Sequence, residues 1–210
     1  MAEKMPKFGQ PPLFSTVIMS TRALLLAIVL SAGTLPAFAD GEFGKLITAA
    51  DRQRMEKYDE TRAAALTEAK AGGAANDLAT LDAVVSKEPQ SWSGFDMTGS
   101  WQCRTIKVGG ISPLVVYDWF KCRVSDDGSG WMLEKVSGSQ RTKGRFFDDG
   151  DKRLTYLGSF YVNDDPAKPY GSGPDSDQFG YAFRTGAKEF RIELPAPRYE
   201  SKLDILEFRR

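Results

Sequence analysis

The sequence contains no histidine. That absence removes Ser-His-Asp and Cys-His nucleophile activation, the histidine general base and histidine-ligated zinc. Cysteine is scarce, two in 210 residues, and their spacing is not the C-x-x-C of a redox motif. Neither sign of charge dominates: 28 Lys+Arg stand against 28 Asp+Glu, which argues against a nucleic-acid-binding surface. There is no P-loop, no G-x-G-x-x-G after a strand and no G-x-S-x-G, so no cofactor is expected. What remains is 41% hydrophobic and 11% aromatic, enough for a packed core in one domain plus an appendage.

Residues 1–39 read as an export leader rather than as structure. Arg22 supplies the positive flank, Ala23–Ala32 a short apolar run, and Ala37-Phe38-Ala39 a cleavage site before Asp40. The run is shorter than the roughly 20 residues a membrane helix needs. Met19 gives a cleaner start, so residues 1–18 read as an upstream extension. Cleavage near Ala39 leaves 25 basic and 27 acidic residues and no apolar stretch able to span a bilayer. A periplasmic or secreted location is expected. In an oxidising compartment Cys103 and Cys122 have one intramolecular pairing open to them, a disulfide.

Residues 40–94 are alanine-rich and helical in pattern. Thr48-Ala49-Ala50-Asp51 resembles a capping box. Met55, Tyr58, Arg62, Leu66 and Ala69 then recur at helical spacing until Gly72-Gly73. A second helix is expected from about 76 to 86, stopped by Pro89. A helical hairpin packed on something larger follows.

Residues 95–210 change texture. Eight strand-like runs are expected near 97–109, 114–124, 130–137, 141–147, 153–162, 178–184, 189–194 and 202–209. Asp/Gly turn signals separate them, including Asp148, Asp149 and Asp151, which read as turn formers. If Cys103 faces Cys122, Lys107 faces Asp118, Ile106 faces Trp119, Val108 faces Tyr117, and Arg104 meets Lys121. About Gly186 the same arithmetic sets Phe183 against Phe190, Arg184 against Glu189 and Tyr181 against Ile192. In an up-and-down barrel, short turns at 125–129, 148–152 and 185–188 share one end. Gly110–Pro113, Asn163–Asp177 and Pro195–Ser201 share the other, giving a closed floor and an open mouth. The expected fold is α+β: an N-terminal helical hairpin on an eight-stranded antiparallel barrel.

Gly99-Ser100-Trp101 at the head of the first strand resembles the G-x-W signature of lipocalin-like barrels. The resemblance implies that Trp101 plugs the floor and that an arginine near the chain's end packs across it, with Arg209 and Arg210 both expected at that rim. The barrel is also similar to bacterial secreted metalloprotease inhibitors, in which the segment before the barrel enters the protease. Residues 40–210 resemble an uncharacterised family of exported bacterial proteins, a domain of unknown function. That likeness is carried by Trp101-Gln102-Cys103-Arg104, Tyr117–Arg123 and Leu203–Glu207, and it implies no activity.

The candidate ligand residues are Lys107 and Asp118, expected inward near the mouth, with Tyr170 and Arg198 on the long loops. Asp164, Asp165, Asp175 and Asp177 are one carboxylate set chemically suited to calcium, although their spacing is not that of an EF-hand. Arg141, Lys143 and Arg145 alternate on one strand face, an anion pocket if inward and a solvated face if outward. Tyr156, Phe160, Tyr181 and Phe183 read as core. The expectation is an exported, non-catalytic binding module that uses the open end for a small ligand or an envelope protein partner. The alternatives are a secreted protease inhibitor and a carboxylate-based hydrolase.

Overall fold

The computed structural model describes residues 40–163 and 165–210. The leader read over residues 1–39, and Asp164, lie outside the described residues. Four helices come first: α1 (Asp40–Leu46), α2 (Ala49–Glu56), α3 (Tyr58–Gly72) and α4 (Ala75–Val85). Nine strands follow: β1 (Gly99–Gly110), β2 (Leu114–Val116), β3 (Phe120–Asp126), β4 (Trp131–Lys135), β5 (Gln140–Asp148), β6 (Leu154–Val162), β7 (Asp177–Gly186), β8 (Glu189–Pro195) and β9 (Ser201–Arg209). Each strand pairs antiparallel with the next around a ring, and β9 returns to β1, from Gln102↔Arg209 to Gly110↔Ser201. β2 and β3 lie on the same side of β1 and together form one stave. The result is an eight-stave antiparallel barrel, and closure removes the exposed edges an open sheet would present.

The break between β2 and β3 corrects the expected register. β1 pairs Ile106↔Val116 and Val108↔Leu114 with β2, but Trp101↔Cys122 and Cys103↔Phe120 with β3. Arg104 and Thr105 therefore stand against three residues, Tyr117, Asp118 and Trp119, the count of a β-bulge. None of the expected pairs Lys107/Asp118, Ile106/Trp119, Val108/Tyr117 or Arg104/Lys121 forms. The cysteines are diagonal neighbours, with Cα atoms 5.9 Å apart, and are bonded to one another. A bridge closing a loop of this length contributes on the order of 3 kcal/mol.

The β7–β8 hairpin is also one residue from its expected register. Tyr181 faces Glu193, Phe183 faces Arg191 and Arg184 faces Phe190, with a bulge before Gly186. Sidedness explains the shift. Ala182, Phe190 and Ile192 fill the barrel. Tyr181 is packed on the outer wall with Tyr58, Leu157 and Phe179, and Phe183 lies against that cluster. Of the four aromatics read as core, Tyr156 is inside, Phe160 packs on Tyr199 near the rim, and Tyr181 and Phe183 belong to this outer layer.

The helices cover one side of the barrel. α3 and α4 seal an outer patch in which Ala65, Ala69, Leu81 and Val84 meet Ile106, Val108, Leu114, Leu203 and Ile205. Alanine suits this contact because it lets α3 approach closely. A Cβ on Gly109 would already sit 3.2 Å from the Ala65 Cα. α2 lies on β7, α3 on β1 and β9, and α4 on β2. Since α2 and α3 serve different staves, the single helix expected there breaks at Lys57. Among the described residues, no helix is long and apolar enough to cross a membrane.

Candidate functional site

One end of the barrel is plugged by aromatic rings. Trp101 is buried, donates its indole N–H to the Met97 carbonyl at 2.7 Å, and meets Phe190 edge-on at 4.8 Å. Phe190 stacks on Phe208 at 4.1 Å. The segment before β1 crosses beneath them. Trp92 and Phe95 join the cluster, and Gln90 bridges to Arg184. Arg210 lies 4.3 Å from the centre of the Trp101 ring and donates to the Thr98 and Asp96 carbonyls. Arg209, expected beside it, faces outward instead. It stacks on Trp119 at 3.8 Å and donates to Gln102, because alternation along β9 sends neighbouring side chains to opposite faces.

The opposite end is narrow and polar. Thr142 bonds both Tyr156 Oη, at 2.7 Å, and Gln178 Oε1, at 2.5 Å. Above this network lie spaces of about 30 and 80 Å³, and a further 210 Å³ opens at the rim beside Lys107, Val115 and Glu200. Lys107 points into this region, with its Nζ 3.1 Å from Glu200 and 3.8 Å from Asp204. Asp118, expected inward beside Lys107, is exposed on the bulge. Arg198 sits on the rim, paired with Asp175 at 3.1 Å.

The larger space, about 790 Å³, lies outside the barrel against β4, β5 and β6. Its floor follows from strand alternation. Thr142 and Phe146 turn inward, so Arg141, Lys143, Arg145 and Phe147 turn outward, about 7 Å apart along one face. Leu157 and Tyr161 of β6 and Met132 and Glu134 of β4 extend that floor. The loop from Asp165 to Tyr170 forms one wall, and Leu46 of α1 closes the apolar end.

This wall is pinned by side chains brought from α2. Thr48 caps α2 by accepting the Asp51 N–H at 3.3 Å, the contact N-cap threonines make. Asp51 is completely buried, accepting from Arg54 at 2.6 Å and from the Tyr170 hydroxyl at 2.7 Å. Burial, together with the Asp51 carboxylate, pushes the Tyr170 phenol up, so it remains a donor. Arg54 also reaches the Pro174 and Asp177 carbonyls. Asp177 gathers the Gly171 and Gly173 N–H groups into its carboxylate, and burial pushes its pKa up against those bonds. Residues 165–177 are thus tied in place as a wall.

The groove is cationic on balance. Arg141, Lys143, Arg145 and Lys168 line it, against Glu134 and Asp165. Glu134 is shared by Arg123 at 3.3 Å and Lys143 at 3.6 Å. Arg145 makes a two-pronged pair with Asp127, whose carboxyl is held down at about 2 by the Arg145 and Ser129 donors. The calcium set does not assemble. Asp175 turns to Arg198, Asp177 to backbone amides, and Asp164 lies outside the described residues. Among the described residues no cluster of three or more acidic or cysteine side chains could hold a metal.

A further polar cluster escaped the sequence reading. Glu193 is fully buried between the barrel wall and α3. It accepts from Tyr58 and Arg62 at 2.7 Å each, and from Arg191 at 2.8 Å. Burial works to raise its pKa, and the two guanidiniums overcome that and hold it low. The signal was present in Phe190–Pro195, where Arg191 and Glu193 alternate with apolar residues, and in the i, i+4 pair Tyr58 and Arg62.

The described chain is thus a small closed antiparallel β-barrel with a helical layer on its wall and a lateral groove beside it. It belongs to the family described as a domain of unknown function, DUF4893, whose model matches residues 44–208. No curated protein and no solved structure matches the chain.

Proposed function

We propose that this protein is a non-catalytic binding module whose lateral groove takes a small amphipathic anion. The observation that carries the reading is the 790 Å³ groove, with cationic and apolar side chains in series along one strand face. Its volume falls in the range of small-molecule sites, roughly 300–1,000 Å³. An anionic head would face Arg141, Lys143 and Lys168. An apolar body would lie along Leu157, Phe147 and Leu46, with Tyr161, opposite Arg141, beside the head. The reading moves the ligand from the barrel's open end, where the spaces are smaller, to its flank.

Export to an oxidising compartment fits the leader pattern and the Cys103–Cys122 bridge, since disulfides persist there. A lipocalin-like descent draws support from Trp101 on the floor with Arg210 across it. The inhibitor reading needs an extended arm before the barrel. Residues Asp40–Leu46 and Ala49–Glu56 are helical instead, with Ile47 buried between them. The hydrolase reading gains nothing from Glu134, which is committed to Arg123 and Lys143.

The test uses 1-anilinonaphthalene-8-sulfonate, an aromatic sulfonate, as the probe. The folded chain is expected to enhance its fluorescence saturably, and dodecyl phosphate should displace it. Lys143→Glu reverses the central groove charge and should weaken binding at least tenfold, a loss of about 1.4 kcal/mol or more. Unchanged affinity in that variant, or no saturable binding by the wild type, would refute the reading.

A further inference from the structure

The barrel mouth holds an arrangement that the lateral groove does not use. Lys107 of β1 and Lys135 of β4 both point inward and are 6% and 5% exposed. They share a cavity of about 80 Å³ with Thr105, Tyr117, Phe120, Ser139 and Gln140. Burying an ammonium is costly unless it is paired and hydrogen-bonded. Lys107 meets that requirement through Glu200 and Asp204. Lys135 meets it only in part. Its Nζ donates to the Gln140 carbonyl at 2.8 Å and lies 4.2 Å from the centre of the Phe120 ring. Among the described residues it forms no ion pair, and an ammonium has three N–H donors to place.

The charges around Lys135 balance one another and leave its own ammonium without a counter-charge. Lys107 from β1, and Arg141 acting from the outer face of β5, stand against Asp204 of β9 and Glu200 on the rim between β8 and β9. Burial, reinforced by Lys107 and Arg141 and opposed by Asp204, brings the Lys135 pKa down to about 8. Burial pushes Asp204 up, against the pull of Lys107. Each group is therefore shifted toward its neutral form, and an anion beside the lysines would relieve Lys135. One wall of the cavity is closely packed. A Cβ on Gly138, in the turn after β4, would lie 3.0 Å from the Phe120 ring.

We propose that the mouth cavity binds a small inorganic oxyanion, phosphate or sulfate, between the ammonium groups of Lys107 and Lys135. Size sets the class: liquid water occupies about 30 Å³ per molecule, so the space suits a tetrahedral oxyanion and is too small for a drug-sized molecule. The Thr105 and Ser139 side chains on the lining supply further hydroxyl donors.

The test is NMR of the lysine side chains in the full chain, titrated separately with inorganic phosphate and with sodium sulfate. Saturable shifts of the Lys107 and Lys135 signals are expected, with the Lys135 pKa rising as the site fills. Binding should weaken as pH climbs through 8, because Lys135 then loses its proton. Lys135→Gln and Lys107→Gln should each lower affinity at least tenfold. Lys135→Arg, which keeps the charge, should retain binding, and the exposed Lys188→Ala should be neutral. If the glutamine variants fail to fold, the wild-type Lys135 pKa with and without phosphate decides alone. No saturable shift with either anion, an unmoved Lys135 pKa, or binding lost in Lys143→Glu but kept in Lys135→Gln would overturn the proposal. Since these readouts involve mouth lysines, they can fail while the groove still binds its probe, and the reverse.

Discussion

Replacing Glu193 with alanine is expected to cost about 3–5 kcal/mol of folding stability, the range for removing one partner of a buried ionic cluster. The carboxylate is fully buried and answers Arg191, Arg62 and the Tyr58 hydroxyl at 2.7–2.8 Å. Without it, two guanidiniums remain at the wall with no counter-charge between them. Urea denaturation should show the loss, and the double variant Glu193→Leu/Arg191→Met should recover part of it, because the more deeply buried guanidinium leaves with the carboxylate while Arg62, 28% exposed, can turn to water. The pH dependence has a fixed sign. Glu193 is held below its ordinary value in the fold, so its contribution is present above the unfolded pKa of about 4.3 and is lost as pH falls through the folded value. A Glu193→Ala variant within 1 kcal/mol of wild type, judged against the same range, would mean that the helical layer is not fixed by this cluster.

The second large effect is expected at Trp101. Truncation to alanine should cost about 3–5 kcal/mol, as for other buried aromatics. The indole contacts Phe190 and Phe95, bonds the Met97 carbonyl and lies under Arg210. Its loss opens a cavity and releases the segment that closes the floor. Arg210→Met should cost far less, about 1 kcal/mol for a partly exposed cation–π contact. Thermal melts of the two variants separate these sizes. Equal losses would mean that the guanidinium, not the ring packing, holds the floor.

Much of the barrel was legible because burial alternates along β5, polar and apolar residues alternate along β8, and Asp/Gly turns separate the strands. The register was less so. A bulge adds one residue without altering the apolar pattern, and Tyr117-Asp118-Trp119 reads as ordinary strand. Only the Trp119 stack between Arg104 and Arg209, at 4.7 and 3.8 Å, shows why the chain leaves β1 there. The helical layer hid its own logic in a similar way. Ile106 and Val108 lie on the outer face under the helices, but which helix lies on which stave depends on contacts between residues far apart in sequence.

The groove was half visible. Arg141, Lys143 and Arg145 and the loop Asn163–Asp177 each drew notice separately. Their meeting across β6 depends on Tyr170 reaching Asp51, a contact spanning 119 residues, which no local pattern encodes. The Glu193 cluster is distributed likewise between a helix and a strand. Lys107 was identified as inward, but its carboxylate partners come from the end of the chain rather than from Asp118.

Hydrogen–deuterium exchange of the full chain, with and without 1-anilinonaphthalene-8-sulfonate, locates the ligand on the molecule. Occupancy of the lateral groove predicts slower exchange in β5, β6 and the 165–173 loop, with the floor segment 90–98 unchanged. Protection confined to the mouth, at 135–140 and 199–204, or no protection at saturating probe, would contradict it.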